Sequence, residues 1–122
     1  MKSTPFRVLF LYFYAAMNIE DIRNYCIAKP GATEAMPFGD DTLVFKVNGK
    51  IFLLANLDGP LSLNLKASPE EVIERIERYS EARPGYHMNK KHWITVDIDF
   101  NTDAPRILSW IDRSYDLIVS KK

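Results

Sequence analysis

Cysteine is nearly absent from this chain, which contains Cys26 and no other. A lone cysteine excludes an intrachain disulfide and a cysteine-rich zinc site. This composition is compatible with a reducing compartment, and we expect a cytoplasmic protein. Cys26 lies on the predicted apolar stripe of a helix with no histidine near it in sequence, so we interpret it as a buried structural thiol rather than a nucleophile.

Net charge and long apolar runs are also missing. The chain has 16 Lys and Arg against 16 Asp and Glu, so its formal net charge is zero. No global positive field attracts it to nucleic acid, and any such binding must come from a local patch. The apolar run of residues 8–16 is too short for a membrane span, which needs about 20 residues. We therefore expect no membrane partner.

Residues 1–16 are predicted to be an extra N-terminal segment, followed by one domain over residues 17–122. Asn18 is placed to cap a helix, with Asp21 at the third helical position, so the domain is predicted to begin near Met17. Three interpretations of the segment stay open: an over-extended gene start, ranked first, an added arm, and a signal peptide. The 122 residues suffice for one domain with its own core.

A β-hairpin is the clearest local signal. The β-rich runs 42–47 and 50–55 flank Asn48-Gly49, and both central residues of a type I′ turn need positive φ, which this pair supplies. A third strand follows residues 58–60. Its leucines, Leu61, Leu63 and Leu65, alternate with Ser62, Asn64 and Lys66. The pattern predicts an antiparallel meander with one polar face and one apolar face covered by helix.

Three helices are predicted to accompany the sheet. The first runs from Ile19 to about Ala28. The second opens at Ser68-Pro69-Glu70-Glu71, where Ser68 caps and Glu71 completes a capping box. The last opens at residues 101–105, after a strand over residues 93–98. The predicted inner stripe of the second helix consists of Val72, Ile73, Ile76 and Tyr79, and Arg75 is predicted on its outer face. The predicted inner stripe of the last helix consists of Ile107, Leu108, Ile111, Tyr115 and Ile118, with Trp110 at the edge.

Polar and basic side chains concentrate in residues 83–93, between the second helix and the last strand. This stretch holds both histidines, two adjacent lysines and a tryptophan. Pro84-Gly85 breaks the preceding structure, so these side chains are predicted to lie on a connecting loop. Binding residues usually occupy loops held by rigid elements.

The same stretch carries a family resemblance. Residues 86–93, Tyr-His-Met-Asn-Lys-Lys-His-Trp, followed by Thr95-Val96, resemble the signature of the MmcQ/YjbR family of small bacterial proteins. Further segments follow in the family's order: residues 26–34, Pro37-Phe38-Gly39, Phe45-Lys46-Val47, residues 63–66 and residues 114–117. The resemblance runs from about Met17 to the C-terminus and departs at Ile94, where the family usually has a small polar residue such as Asn.

The resemblance implies an α+β fold of the CyaY-like kind, a two-layer sandwich of an antiparallel sheet packed against helices, in the order α-β-β-β-α-β-α. It also implies the family's label of DNA-binding protein, which rests on analogy to double-wing binders.

Side chains in the loop of residues 83–93 and around the predicted hairpin supply hydrogen-bond donors for phosphate oxygens. The candidate DNA-binding residues are Lys46, Lys50, Lys66, Asn89, Lys90, Lys91 and His92. Such contacts position a duplex without reading its bases, so we predict weak, non-specific DNA binding through a basic loop and a wing-like hairpin. The alternative is that these side chains are solvated or make local hydrogen bonds, and that the surface serves a protein-interaction or small-ligand module.

Catalysis and metal binding have weaker support. His87 and His92 are five apart, and a cluster with Asp97 or Asp99 is allowed but not required by their spacing. Zinc and iron sites want three protein ligands with a supporting shell of hydrogen bonds. No Gly-rich phosphate loop is present. We expect no enzyme activity, no cofactor and no metal, and we favour a monomer.

Overall fold

A six-stranded antiparallel sheet forms one layer of the computed structural model, which describes residues 17–120. The elements in chain order are α1 (Ile19–Ile27), β1 (Thr33–Ala35), β2 (Thr42–Val47), β3 (Lys50–Asn56), β4 (Ser62–Lys66), α2 (Pro69–Arg78), β5 (Ala82–Pro84), β6 (Trp93–Asp97) and α3 (Ala104–Val119). The strand order across the sheet is β1-β2-β3-β4-β6-β5, and every neighbouring pair is antiparallel. This confirms the predicted α+β class.

Two strands were not predicted from the sequence. β1 and β5 are edge strands of three residues each, pairing with β2 and β6. A three-residue strand is too short to show an alternating pattern, and β5 contains Pro84, which is tolerated only at a sheet edge. The predicted extra segment of residues 1–16 lies outside the described residues.

One face of the sheet packs against the helices. Alternate residues of the central strands point into this core, and those with no exposed surface include Phe45, Leu53, Leu63, Leu65, Ile94 and Val96. Helix α3 supplies Ile107 and Ile111 to the same core, and α1 supplies Ile22 and Cys26. The alternation predicted for the third strand is therefore confirmed, with Leu63 and Leu65 on the helix side.

The predicted helix starts are confirmed by their capping contacts. The Asp21 backbone N–H donates to Asn18 Oδ1 at 2.9 Å, and the Asn18 N–H donates back to the Asp21 carboxylate at 3.0 Å. Ser68 and Glu71 form the same reciprocal pair at the start of α2. Such caps satisfy backbone donors that the first helical turn leaves unpaired, and they fix where a helix begins.

The inner stripe of α2 differs from the prediction. Ile73 is 60% exposed, whereas Arg75 is only 8% exposed. The Arg75 guanidinium stacks 4.8 Å from the centre of the Trp110 ring, and Trp110 is buried rather than at the edge of the core. A planar guanidinium on a long apolar stem can replace an aliphatic residue in this way, which a polarity pattern misses. Burial lowers the pKa of Arg75, because desolvation disfavours its charge.

The predicted β-hairpin turn is also confirmed. Asn48 has φ 54° and Gly49 has φ 75°, so both central residues adopt the positive φ that a type I′ turn requires.

Within residues 17–120, each helix is too short or too polar to traverse a lipid bilayer.

Candidate nucleic-acid interface and sheet groove

The topology brings the predicted DNA-binding residues to one end of the sheet. Strands β2 and β4 end there, and β3 and β6 begin there. This end carries Lys46, Lys50, Lys66, Asn89, Lys90, Lys91 and His92, and we call these residues the lysine end. The ladder between β4 and β6 continues one step further, because the Ala67 N–H donates to the His92 carbonyl at 2.9 Å.

The strand lysines do not all point the same way. Lys46 alternates with the buried Phe45 and Val47 and so lies on the open face of the sheet, away from the helices. Lys66 lies on that same face, where its ammonium stands 5.4 Å from the centre of the ring of its cross-strand partner Trp93. Lys50 pairs with Val47 and therefore points to the helix side. The two lysines of the hairpin thus straddle its tip.

The loop part of the lysine end is held by local hydrogen bonds. The Lys90 ammonium donates to the Gly85 carbonyl at 2.9 Å, so it is turned back onto its own loop. The Asn89 side-chain oxygen accepts from the Lys91 backbone N–H at 2.8 Å. Asn89 therefore stabilises the turn, while the Lys91 side chain is exposed.

Salt bridges distinguish the arginines from four of the lysines at the lysine end. In residues 17–120 each arginine forms a salt bridge with a carboxylate; these are Arg23, Arg75, Arg78, Arg83, Arg106 and Arg113. Over the same residues Lys46, Lys50, Lys90 and Lys91 form none. Glu74 and Asp97 are paired with Arg78 and Arg83, and Asp97 lies at the opposite end of β6 from the lysine end. The charges of these four lysines are thus not compensated by a carboxylate in the part of the chain that the structure describes.

A groove of about 770 Å³ lies on the open face of the sheet, and the sequence did not predict it. Its floor is formed by Leu54, Ser62, Asn64 and Thr95. Its other lining residues include Phe38, Asp41, Asp58, Arg83, Tyr86, His87, Met88 and Asp97. Ser62 and Asn64 lie on the predicted polar face, but they are buried rather than wet, at 8% and 4% exposure.

Hydrogen bonds attach the loop of residues 85–88 to the groove floor. The Thr95 hydroxyl donates to Asn64 Oδ1 at 2.6 Å and accepts from the Tyr86 backbone N–H at 2.8 Å. Asn64 Nδ2 lies 3.5 Å from the Tyr86 carbonyl. Because Thr95 and Asn64 are cross-strand partners on β6 and β4, the sheet itself positions this network.

Steric and backbone constraints fix the same loop. Gly85 is buried against β6, where a β-carbon would meet the Trp93 carbonyl oxygen at 2.9 Å. His87 has φ 57°, a conformation that costs a non-glycine residue energy, and its ring contacts that of Tyr86 with centroids 3.9 Å apart. Strain of this kind persists where surrounding structure holds it, and ligand sites are common places for it.

Sequence reasoning missed several groove residues. Thr95 was part of a recognised strand, but only the fold shows that its hydroxyl meets Asn64. On adjacent strands, the Arg83 guanidinium donates two hydrogen bonds of 2.8 Å to the Asp97 carboxylate, and these bonds raise the pKa of Arg83. Phe38 reaches the groove from the β1–β2 connection.

Within residues 17–120 no group of three or more His, Cys, Asp or Glu side chains is placed to hold a metal ion.

Six antiparallel strands with helices on one face and a polar groove on the other define a two-layer α+β protein. Residues 27–117 match the model of the YjbR family, so the chain belongs to that family, as the sequence resemblance predicted.

Relatives and solved structures agree. The chain is 36% identical over 101 residues to the uncharacterized protein YbdF of Escherichia coli O157:H7, covering 82% of this chain and 83% of that protein. It is 31% identical over 105 residues to the uncharacterized protein YjbR of Escherichia coli K12, covering 85% and 89%. A crystal structure of a Deinococcus radiodurans protein with the domain DUF419 matches with TM-score 0.79 and 36% identity, over 88% of this chain and 82% of that one. A Pseudomonas syringae protein matches with TM-score 0.72 and 28% identity, over 83% and 98%.

Proposed function

We propose that the protein binds DNA weakly and without sequence preference, through phosphate contacts at the lysine end. The observation that carries this proposal is the charge pairing: over residues 17–120 Lys46, Lys50, Lys90 and Lys91 have no carboxylate partner, while every arginine has one. A lysine without a carboxylate partner can meet a phosphate without first breaking a salt bridge. Uncompensated positive charge on a neutral protein is the local patch that backbone binding requires.

The geometry limits how strong such binding is. Lys46 and Lys50 lie on opposite sides of the hairpin, and the Lys90 ammonium is bound to the Gly85 carbonyl. We therefore expect about three phosphate contacts, and the logarithm of the affinity should fall with the logarithm of salt concentration at a slope near −2.7. Contacts of this kind fix orientation and read no bases, so the binding is non-specific.

The proposal involves neither catalysis nor a cofactor, and it places the protein in the cytoplasm, where bacterial DNA lies. The protein acts as a monomer, since one copy carries the whole lysine end.

Fluorescence anisotropy with a labelled DNA duplex over a series of salt concentrations tests the proposal. Lys46→Gln and Lys91→Gln should each make the salt slope shallower by about 0.9, because each removes one phosphate contact. Arg78→Gln is the matched control: it removes one positive charge from an exposed side chain on α2 that is already paired with Glu74. Absence of binding at low salt contradicts the proposal, as does an equal loss in the Arg78 variant.

A further inference from the structure

We infer that the groove on the open sheet face is a binding site for a small, uncharged, planar heterocycle of the nucleobase class. The inference stands apart from the DNA proposal, because the groove and the lysine end are built from different side chains.

The shape of the groove suits a small molecule. Its volume of about 770 Å³ falls in the range of pockets that enclose small ligands. Two aromatic side chains that line it, Phe38 and Tyr86, are 64% and 59% exposed. Large aromatic rings left uncovered beside a concave site are suited to stacking on a flat ligand, and the Tyr86 ring is supported by contact with His87.

The amide of Asn64 supplies the recognition chemistry. A side-chain amide offers two N–H donors and two acceptor lone pairs. Within residues 17–120 this amide uses one lone pair, for Thr95, and one donor, in a contact at the 3.5 Å limit with Tyr86. A donor and an acceptor are thus left on a side chain that is 4% exposed and lines the groove. An adjacent donor and acceptor on one amide match the edge of a nucleobase.

The charged side chains that line the groove disfavour a phosphorylated ligand. Asp41, Asp58 and Asp97 line it, and Arg83 is the one cationic side chain among the lining residues. Arg83 is already bound at two points to Asp97. Among the lining residues, the carboxylates of Asp41 and Asp58 then remain without a salt bridge within residues 17–120, so a phosphate group beside them would be repelled while an uncharged base or nucleoside would not.

A nucleobase in the groove could belong to either of two ligands, a free nucleoside or an unpaired base of a single-stranded nucleic acid. Chemical-shift mapping of the ¹⁵N-labelled full chain separates them, with adenosine, guanosine, cytidine and uridine in one arm, adenosine 5′-monophosphate in a second and a single-stranded oligonucleotide in a third. We expect at least one nucleoside to shift the amides of Asn64, Thr95 and residues 86–88 saturably, and the monophosphate to bind more weakly.

Two variants and a control complete the test. Tyr86→Ala, on an exposed ring, should weaken nucleoside binding about 5-fold or more. Asn64→Asp should weaken it as well, because it removes both N–H donors and adds a further negative charge. Phe100→Ala removes an aromatic ring that is 75% exposed and does not line the groove, and it should leave binding unchanged.

The source follows from which arm responds. Oligonucleotide binding that is lost in Tyr86→Ala, without nucleoside binding, assigns the site to an unpaired base. The inference is overturned if neither nucleosides nor the oligonucleotide shift the groove amides, or if Tyr86→Ala binds as tightly as the wild type. A failure of duplex binding at the lysine end would leave these results untouched.

Discussion

Replacement of Gly85 by alanine tests how tightly the loop over the groove is held. The added β-carbon would meet the Trp93 carbonyl oxygen at 2.9 Å and the Trp93 carbonyl carbon at 3.1 Å. These are backbone atoms of β6, which pairs with β4 and β5, so the strand cannot yield and the loop must move. The Tyr86 N–H should then lose its bond to the Thr95 hydroxyl.

The expected cost follows from these contacts. Overpacking a rigid site costs about 1 to 3 kcal/mol, and a lost hydrogen bond adds about 1 kcal/mol. We therefore expect the free energy of unfolding to fall by about 2 to 4 kcal/mol, which corresponds to roughly 10 °C or more in Tm. Urea denaturation followed by circular dichroism measures the change.

Gly59→Ala is the matched control for this substitution. Gly59 has φ 77° and no atom within 4 Å of an added β-carbon, so alanine there costs only backbone strain of about 1 to 2 kcal/mol. If Gly85→Ala changes stability by less than about 0.5 kcal/mol and leaves the Tyr86 amide shift in place, the loop is not pressed against β6 and the reasoning fails.

Three further outcomes are expected. Cys26 is fully buried, and burial raises its pKa to about 12, so it should resist iodoacetamide at pH 8 until the protein is denatured; fast labelling of the native protein would contradict this. Burial favours a higher pKa for Glu71, but the hydrogen bond from Ser68 and the charges of Arg75 and Arg113 together lower it. Ionised Glu71 therefore stabilises the fold above pH 4.5, and the Tm advantage of wild type over Glu71→Gln should shrink as pH falls below that value; a constant difference would refute it. Asn48→Ala should cost about 1 to 2 kcal/mol and Asn48→Gly little, as measured by urea denaturation, because only the alanine opposes the positive φ; equal stabilities would exclude the type I′ turn.

The sequence predicted those parts of the fold that local chemistry decides. The hairpin at Asn48-Gly49 and the capped starts of α1 and α2 each depend on a few adjacent residues, and the structure confirms them. The burial of Arg75 could not be predicted in this way, because it depends on Trp110 arriving from another helix.

The candidate site was also predictable only where it depends on local sequence. The lysines were recognisable as donors, and their gathering at one end of the sheet follows from antiparallel topology once the strands are known. The direction of each side chain was not predictable, because it depends on which residues of β2 and β3 pair with each other. This pairing puts Lys46 and Lys50 on opposite faces of the sheet. The groove depends on the pairing of β4 with β6, which brings Asn64 next to Thr95. Because α2 and β5 lie between these two strands in the chain, the sequence does not indicate that they pair.

Chemical-shift mapping with a short DNA duplex at low salt tests the central claim most directly. The account predicts shifts at the amides of residues 46–50 and 89–92 that disappear as salt is added, with none on the outer face of α2. An absence of shifts at low salt, or shifts centred on the outer face of α2, would contradict it.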